Sequence, residues 1–239
     1  MIDIHNHILF DIDDGAKTIE SSVQMCRDAY ENGIEHIVLT PHFVKFSEIE
    51  DFVEERDNRI FELRNMLNAE KIPVKLYKGA ELYLSDGIFT ADNLDELTLG
   101  NSRYILCEFP MGPFNINAAL EWVDELIDRE YVPVIAHPER YREFHRNLFV
   151  IDELLDRDVV FQVNLDSVIG LNGRSAQGMS VDMLERGFAK LIGTDAHHPI
   201  YRHNKIKEKF EDLPDEITKE IIEKCMKTNP KRVLENKEI

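Results

Sequence analysis

Short apolar runs alternate along the chain with longer charged segments of helical period. The apolar runs predict seven strands, at Ile2–His7, His36–Thr40, Val74–Glu81, Arg103–Phe109, Val132–His137, Val159–Asn164 and Lys190–Gly193. Between two of these strands, Leu120, Val123 and Ile127 fall on one helical face, which is predicted to pack on a sheet. Because each return to a parallel strand needs a crossover, the alternation predicts an α/β fold with parallel strands.

An open doubly wound sheet and a closed barrel both satisfy this pattern. We favour a distorted (β/α)7 barrel resembling a TIM barrel, because candidate functional residues stand at the ends of nearly every strand. An open sheet would instead concentrate them near one switch point. No linker-like tract interrupts the chain, so we expect a single domain over residues 1–239. The segment from about Arg202 to Asn236 is expected to be purely helical and to close one side.

Histidines and carboxylates end six of the seven predicted strands. His5 and His7 are two residues apart, so on a strand their side chains share a face. A parallel barrel gathers its strand ends on one rim, so residues far apart in sequence are predicted to converge there. The candidates are His5, His7, His42, Glu81, Glu108, His137, Asp195 and His197, with Asp14 in a nearby loop as a ninth.

Each candidate taken alone has a structural alternative. A buried carboxylate can form an ion pair, a histidine beside proline can cap a turn, and an Asp-Asp-Gly turn needs no ion. Together they favour metal, because burying several carboxylates is costly unless cations neutralise them. So many ligands exceed what one ion takes, which predicts two or three ions, and mixed imidazole and carboxylate ligation fits Mn, Fe or Zn better than Ca or Mg.

Such a centre would suit a phosphate substrate. Three divalent ions outweigh the charge of the four candidate carboxylates, so the site would attract a dianion in spite of the acidic exterior. Arg140 and Arg202 follow ligand motifs closely enough to grip phosphate oxygens in a bidentate manner. Pairing of these arginines with Glu139, Glu143 or other surface acids is an equal alternative on position alone.

Composition excludes several other classes of protein. The formal net charge is −18 over 239 residues, which argues against binding of nucleic acid or of an anionic membrane surface. No basic leader precedes an apolar stretch, and no apolar run approaches about 18 residues, so we expect a cytoplasmic protein without membrane insertion.

The three cysteines are widely spaced, which predicts reduced core thiols. None of them has the arginine six residues later that a cysteine-based tyrosine phosphatase needs. Cys107 should also face away from its neighbour Glu108 on the same strand.

Eight stretches in order along the chain resemble the polymerase and histidinol phosphatase (PHP) superfamily, and more narrowly its manganese-dependent bacterial protein-tyrosine phosphatases linked to capsular or exopolysaccharide synthesis. They are Met1–Leu9, Asp13–Ala16, Thr40–His42, Glu81, Glu108–Pro110, His137–Arg140, Thr194–His197 and Asn229–Asn236. The resemblance implies the PHP fold and a trinuclear metal cluster. One ion would be held by His5, His7, Glu81 and Asp195, the second by Glu81, Glu108 and His137, and the third by Asp14, His42 and His197.

The resemblance further implies that Arg140 and Arg202 bind phosphate and that a metal-bound hydroxide attacks phosphorus, with Asp14 either a ligand or a proton donor. The implied substrate is protein phosphotyrosine, such as the tyrosine-rich tail of a bacterial kinase of polysaccharide synthesis. Other branches of the superfamily carry histidine where this chain has Glu108, which favours this branch. The alternatives are a small-molecule phosphatase such as histidinol-phosphate phosphatase, a non-catalytic metal-binding module, and a metal-dependent amidohydrolase.

Overall fold

Nine short parallel strands and ten α-helices make up the computed structural model, which describes every residue from Met1 to Ile239. The strands are β1 Ile2–Asp3, β2 His36–Leu39, β3 His42–Phe43, β4 Lys75–Lys78, β5 Glu81–Tyr83, β6 Tyr104–Glu108, β7 Val132–Ala136, β8 Val160–Asn164 and β9 Ala189–Gly193. The helices are α1 Ile19–Glu31, α2 Ile49–Ala69, α3 Ile116–Asp128, α4 Arg142–Arg146, α5 Phe149–Leu155, α6 Leu165–Val168, α7 Arg174–Glu185, α8 Ile206–Lys209, α9 Lys219–Glu223 and α10 Asn229–Leu234.

Shorter helical turns complete the chain. They are 3-10 turns at Phe46–Glu48, Asp86–Thr90, Asp95–Leu97, Leu99–Asn101, Pro138–Arg140 and Phe210–Asp212, and a π-helical turn at Lys224–Thr228. None of the helices combines the length and the apolar composition that crossing a membrane requires.

The strands form two sheets, ordered β1-β2-β4 and β3-β5-β6-β7-β8-β9, and all pairs are parallel. Only Thr40 and Pro41 separate β2 from β3, and only two residues separate β4 from β5, so each of these pairs occupies one strand position. Beyond β1 and β9, the Asp195 N–H donates to His5 O at 2.8 Å and the His7 N–H donates to Ala196 O at 2.8 Å. These bonds join the first and last strand positions, so seven positions form a ring at their carboxyl ends.

Two apolar clusters follow from the alternation of side chains along the strands. The smaller cluster takes alternate residues of β2, β6, β7, β8 and β9, including Val38, Leu106 and Leu191, and so lies inside the ring. The larger cluster contains the intervening strand residues together with the apolar faces of the helices. In β6, Leu106 belongs to the inner cluster and Cys107 to the outer one, so Cys107 lies opposite Glu108 as predicted.

The predicted parallel α/β fold is confirmed, but some predicted elements are wrong in detail. The first strand was predicted to reach His7, and its ladder ends at Asp3. The strand predicted over 74–81 is two strands with a break at Gly79, where a Cβ would lie 3.1 Å from Val38 and 3.2 Å from Leu39 O. Close approach of the neighbouring strand therefore leaves little room for a side chain at that point.

The buried face of α3 also differs from the predicted one by a rotation about the helix axis. The structure buries Ala119, Trp122, Val123 and Leu126, whereas Leu120 and Ile127 are only half-buried. Trp122 decides the orientation, because it carries the largest apolar surface of the helix and its indole N–H donates to Asp86 Oδ1 at 2.9 Å.

The C-terminal segment was expected to be purely helical, and it is interrupted instead. No helix covers residues 213–218, where Pro214 lacks the N–H that a helix interior needs.

We expect the inner cluster to limit stability, since Leu106 is fully buried within it. Replacing Leu106 with Ala should lower the free energy of unfolding by about 2–5 kcal/mol, because the inside of a ring cannot collapse around a cavity. Urea denaturation with chelator present measures this. Leu171→Ala is the matched control, since Leu171 is 68% exposed and its truncation should change the value by less than about 0.5 kcal/mol. Equal effects of the two substitutions would contradict the assignment of the core.

Candidate metal centre

Glu81 lies at the centre of a cluster at the carboxyl ends of the strands. The first residue of β5, it is fully buried. Its Oε2 lies 3.2 Å from Nε2 of both His5 and His7 and 3.1 Å from His42 Nδ1, while its Oε1 lies 3.2 Å from His137 Nε2. Residues from four strand positions therefore meet at one carboxylate.

The Glu81 carboxylate has the environment of a cation ligand. Burial acts to raise its pKa, but the charge of His5 and the hydrogen bonds with His137 and His5 outweigh that effect and bring the pKa well below its usual range. Even so, Oε2 is buried without a hydrogen-bond partner of good geometry. An ionised oxygen facing several imidazole nitrogens would gain its missing partner from a divalent cation.

Asp195, just after β9, turns its two oxygens toward different groups. Oδ1 lies 3.6 Å from His5 Nε2 and 3.4 Å from His7 Nε2. Oδ2 accepts from Asn164 Nδ2 at 2.7 Å and lies 3.2 Å from Arg140 Nη1 and 2.8 Å from Arg202 Nη2. Burial would raise the pKa of Asp195, but the charges of His5, His7 and Arg202 hold it well below its usual range, so it is a carboxylate at neutral pH.

Glu108, the last residue of β6, supplies a second acid beside Glu81. Its Oε1 lies 3.5 Å from His137 Nε2 and its Oε2 lies 3.8 Å from His42 Nδ1. Burial, and then the negative charge of Glu81, raise the pKa of Glu108 to about 8. Two neighbouring buried acids repel each other when both are ionised, and a bound cation would remove that repulsion.

A third group lies on the outer side of the cluster. Asp14 Oδ1 is 3.4 Å from His197 Nε2 and 3.6 Å from His42 Nε2, and the rings of His7 and His197 have centroids 4.0 Å apart. The side chain of Asp14 is 66% exposed, and its hydrogen bond with His197 holds its pKa below the usual range. Asp14 is therefore ionised at neutral pH, which suits a ligand better than a proton donor.

All nine predicted ligands thus lie in one cluster, although the structure groups them differently from the expected sets. Four groups have ligand atoms within 4.8 Å of one another: His7, Asp14, His42 and His197; His5, His7 and Glu81; His5, His137 and Asp195; and His42, Glu81 and Glu108. The expected third set is present with His7 added. His137 falls with His5 and Asp195, yet its Nε2 is also close to both Glu81 and Glu108. Which residues share an ion stays a prediction.

The backbone is strained at two of the predicted ligands and at one of the two arginines. His137, Asp195 and Arg202 have φ values of 35°, 49° and 51°, in the left-handed region that residues with a Cβ seldom adopt. Each such conformation costs about 1 kcal/mol or more and persists only where the surroundings impose it. His137 and Asp195 lie where a strand leads into a loop of the rim. Asp195 and Arg202 are also in contact with each other.

Two polar side chains that hold the histidines in place were not among the predicted residues. Gln162 Oε1 accepts from His5 Nδ1 at 2.6 Å, and Asp13 Oδ2 accepts from His7 Nδ1 at 2.7 Å. These bonds leave the Nε2 atoms of both rings free to face the cluster, the usual arrangement around a metal-bound histidine.

The sequence contained an indication that Gln162 belongs to the site. Gln162 and Asn164 occupy alternate, buried positions of the otherwise apolar strand β8, so both face the ring interior at its carboxyl end. Buried amides in such a strand point to a polar site. Asp13 and Asp14 are adjacent in one loop. The sequence pattern did not indicate that Asp13 bonds His7 while Asp14 lies near His42 and His197.

The remaining histidines and the cysteines lie outside the cluster. His198 stacks on Tyr201 with ring centroids 3.9 Å apart, and its Nδ1 accepts the Ile200 N–H at 3.1 Å. The three cysteines are buried and unbridged. Burial raises the pKa of Cys26 to about 12 and that of Cys225 to about 11, so neither is an ionised nucleophile at neutral pH.

Known proteins resemble the chain over its full length. CapC from Staphylococcus aureus is 33% identical over 242 residues, covering 100% of this chain and 93% of the relative. The tyrosine-protein phosphatase YwqE from Bacillus subtilis is 32% identical over 226 residues, covering 92% of this chain and 87% of the relative. A crystal structure from a study of YwqE and of CpsB from Streptococcus pneumoniae, described as unique metal-dependent tyrosine phosphatases, superposes with a TM-score of 0.84 at 28% identity. It covers 100% of this chain and 96% of the other.

The sequence model of a family described as capsular polysaccharide synthesis, CpsB/CapC, matches residues 1–235. With nearly the whole chain matched and the relatives covered almost end to end, the chain belongs to the CpsB/CapC family of capsular polysaccharide synthesis proteins.

Proposed function

We propose that this chain is a metal-dependent protein-tyrosine phosphatase whose substrate is a phosphotyrosine-bearing tyrosine kinase of capsular or exopolysaccharide synthesis. The observation that carries the proposal is that nine histidine and carboxylate side chains, Glu81 among them, meet in one cluster, with Arg140 and Arg202 both in contact with Asp195 on the same rim. Its relatives YwqE and CpsB are named tyrosine-protein phosphatases, which supports phosphotyrosine rather than histidinol phosphate as the substrate.

The cluster fits two or three divalent ions, and we propose manganese, with iron or zinc as ions that the same donors accept. The proposed ligands are His5, His7, Asp14, His42, Glu81, Glu108, His137, Asp195 and His197. Bound divalent ions would polarise a phosphoryl oxygen and lower the pKa of water near phosphorus. Asp13 and Gln162 then act by fixing the orientation of His7 and His5.

Arg140 and Arg202 are the proposed phosphate clamp. Both contact the same oxygen of Asp195, although they are 62 residues apart in the sequence, and their side chains are 28% and 42% exposed. Guanidinium N–H groups that remain free can donate to two oxygens of a phosphate dianion and fix its orientation for attack. The pairing with Glu139 or Glu143 that the sequence left open is not seen.

We also propose that residues 1–239 form one domain and act in the cytoplasm. The larger apolar cluster contains residues from Ile8 to Met226, which supports a single folding unit. The three buried, unbridged cysteines are typical of a reducing compartment.

Removal of metal should abolish hydrolysis. Protein treated with a chelator should lose at least about 100-fold in kcat/KM on a phosphotyrosine peptide and regain it with Mn²⁺. Phosphate release from the peptide and from histidinol phosphate measures both activity and substrate class. Rapid hydrolysis of histidinol phosphate with none of the peptide would favour the small-molecule phosphatase. Absence of phosphate release from p-nitrophenyl phosphate as well would favour the non-catalytic module.

Loss of one arginine of the clamp should impair catalysis without unfolding the protein. Arg202→Gln should lower kcat/KM on the peptide by about 100-fold, because a charge-assisted contact to the phosphoryl group is lost. Arg202→Lys should recover only part of that loss, since it keeps the charge and loses the planar fork. Arg103→Gln is the matched control: Arg103 precedes β6 at the opposite end of the strands, and its one ion pair is with Glu238. Wild-type kinetics for Arg202→Gln would rule out the clamp.

Metal binding should release protons at pH 7. The raised pKa values of Glu108 and His7 keep both groups largely protonated in the metal-free protein at that pH, whereas a ligand must be deprotonated. A pH indicator in weak buffer should therefore record acidification when Mn²⁺ is added. Glu108→Gln should release fewer protons by up to about one per chain. Equal release from both proteins would show that Glu108 is ionised before metal arrives.

A further inference from the structure

A cleft of 730 Å³ opens beside the metal centre. Its lining joins the turn that follows β7, helix α4 and the start of α7, and includes Arg140, Arg142, Arg146, His145 and Ser175. Arg140 belongs to both places, because its Nη1 also lies 3.2 Å from Asp195 Oδ2. A molecule bound with its phosphate at the clamp would therefore have this cleft directly next to that phosphate.

The cleft is basic in a strongly acidic protein. Arg142 and Arg146 are exposed, and neither makes a side-chain hydrogen bond or an ion pair. Arg174, adjacent in sequence to the lining residue Ser175, is also exposed and unpaired. Every other arginine of the chain makes at least one such contact. Two of the three unpaired arginines of a chain with net charge −18 thus line this cleft, and the third directly precedes a lining residue in the sequence.

No exposed acid of the lining offsets these charges. The only carboxylate in the lining belongs to Glu139, which is fully buried and accepts the Asn164 N–H at Oε1. The wall itself is held in place, because His145 Nε2 donates to Glu139 O at 2.7 Å and His145 Nδ1 lies 3.3 Å from Ser175 Oγ. Helix α4 is thereby tied to both the rim turn and α7, and the arginines are presented on a fixed surface.

We propose that this cleft binds a second anionic group of the substrate polypeptide, a carboxylate or a phosphate, on a residue that flanks the target phosphotyrosine. The inference rests on the proposed function, because it places the phosphotyrosine phosphate at Arg140 and Arg202. The acidic remainder of the surface repels an anionic peptide, so the unpaired arginines select for one that enters next to the metal centre.

Binding of fluorescein-labelled peptides to the full chain tests the proposal, with a non-hydrolysable phosphonate in place of the phosphotyrosine phosphate. Four peptides are compared: one with neutral flanks, one with glutamates before the phosphonate residue, one with glutamates after it, and one with a flanking phosphoserine. The glutamate and phosphoserine peptides distinguish a carboxylate from a phosphate. Fluorescence anisotropy gives the ratio of affinities between each anionic peptide and the neutral one.

The variants are Arg142→Gln/Arg146→Gln and the control Arg103→Gln/Arg186→Gln, which removes the same charge at paired arginines outside the cleft. Thermal unfolding confirms that both fold. We expect wild type and control to bind at least one anionic peptide about tenfold tighter than the neutral peptide, and the cleft variant to prefer it less than about twofold.

An affinity ratio near one for wild type, a cleft variant that keeps the ratio, or a control that loses it equally would each overturn the proposal. The ratio does not depend on turnover. If wild type binds the anionic peptide preferentially yet releases no phosphate from any phosphotyrosine peptide, the proposed function fails while the cleft assignment stands.

Discussion

A buried carboxylate surrounded by imidazoles is the interaction on which the rest of this protein depends. Glu81 is fully buried, and its two oxygens face nitrogen atoms of His5, His7, His42 and His137. An ionised group in such a place is stable only with compensating charge. At the neighbouring acid Glu108, burial and the charge of Glu81 raise the pKa to about 8. The strands therefore hold together a cluster of buried acids and histidines that bound cations would stabilise.

The ring of parallel strands is what brings these groups together. Every proposed ligand but Asp14 lies near or just beyond the carboxyl end of a strand position. The loop that carries Asp14 is held by its neighbour Asp13, which accepts from His7 and from the His42 N–H. Gly193 is needed here for space, since a Cβ at this position would lie 2.7 Å from the Cβ of His5. The inner apolar cluster beneath supports the rim and keeps the charged groups at one end of the ring.

Asp195 connects the proposed metal ligands to the two arginines that we propose bind phosphate. One of its oxygens faces His5 and His7, and the other faces Arg140 and Arg202. Arg140 in turn borders the basic cleft formed by α4 and α7. The proposed metal ligands, the proposed phosphate-binding arginines and the basic cleft are thus adjacent, so the proposed sites for phosphate and for a flanking part of the peptide adjoin.

The sequence by itself determined the class of fold and which histidines and acids lie together at one rim. Apolar runs separated by amphipathic segments require parallel strands with crossovers, and histidines and acids at the strand ends have to meet wherever those ends meet. The local pattern could not determine where ladders stop, why α3 turns toward Trp122, or that His137 neighbours His5, because these depend on contacts between residues distant in sequence. The roles of Asp13 and Gln162 were hidden for the same reason, as a hydrogen bond to His7 or His5 exists only once the chain has closed. Only the tertiary structure decided that both arginines contact Asp195 while Arg142 and Arg146 stay unpaired, since pairing follows distance in space and not order in the chain.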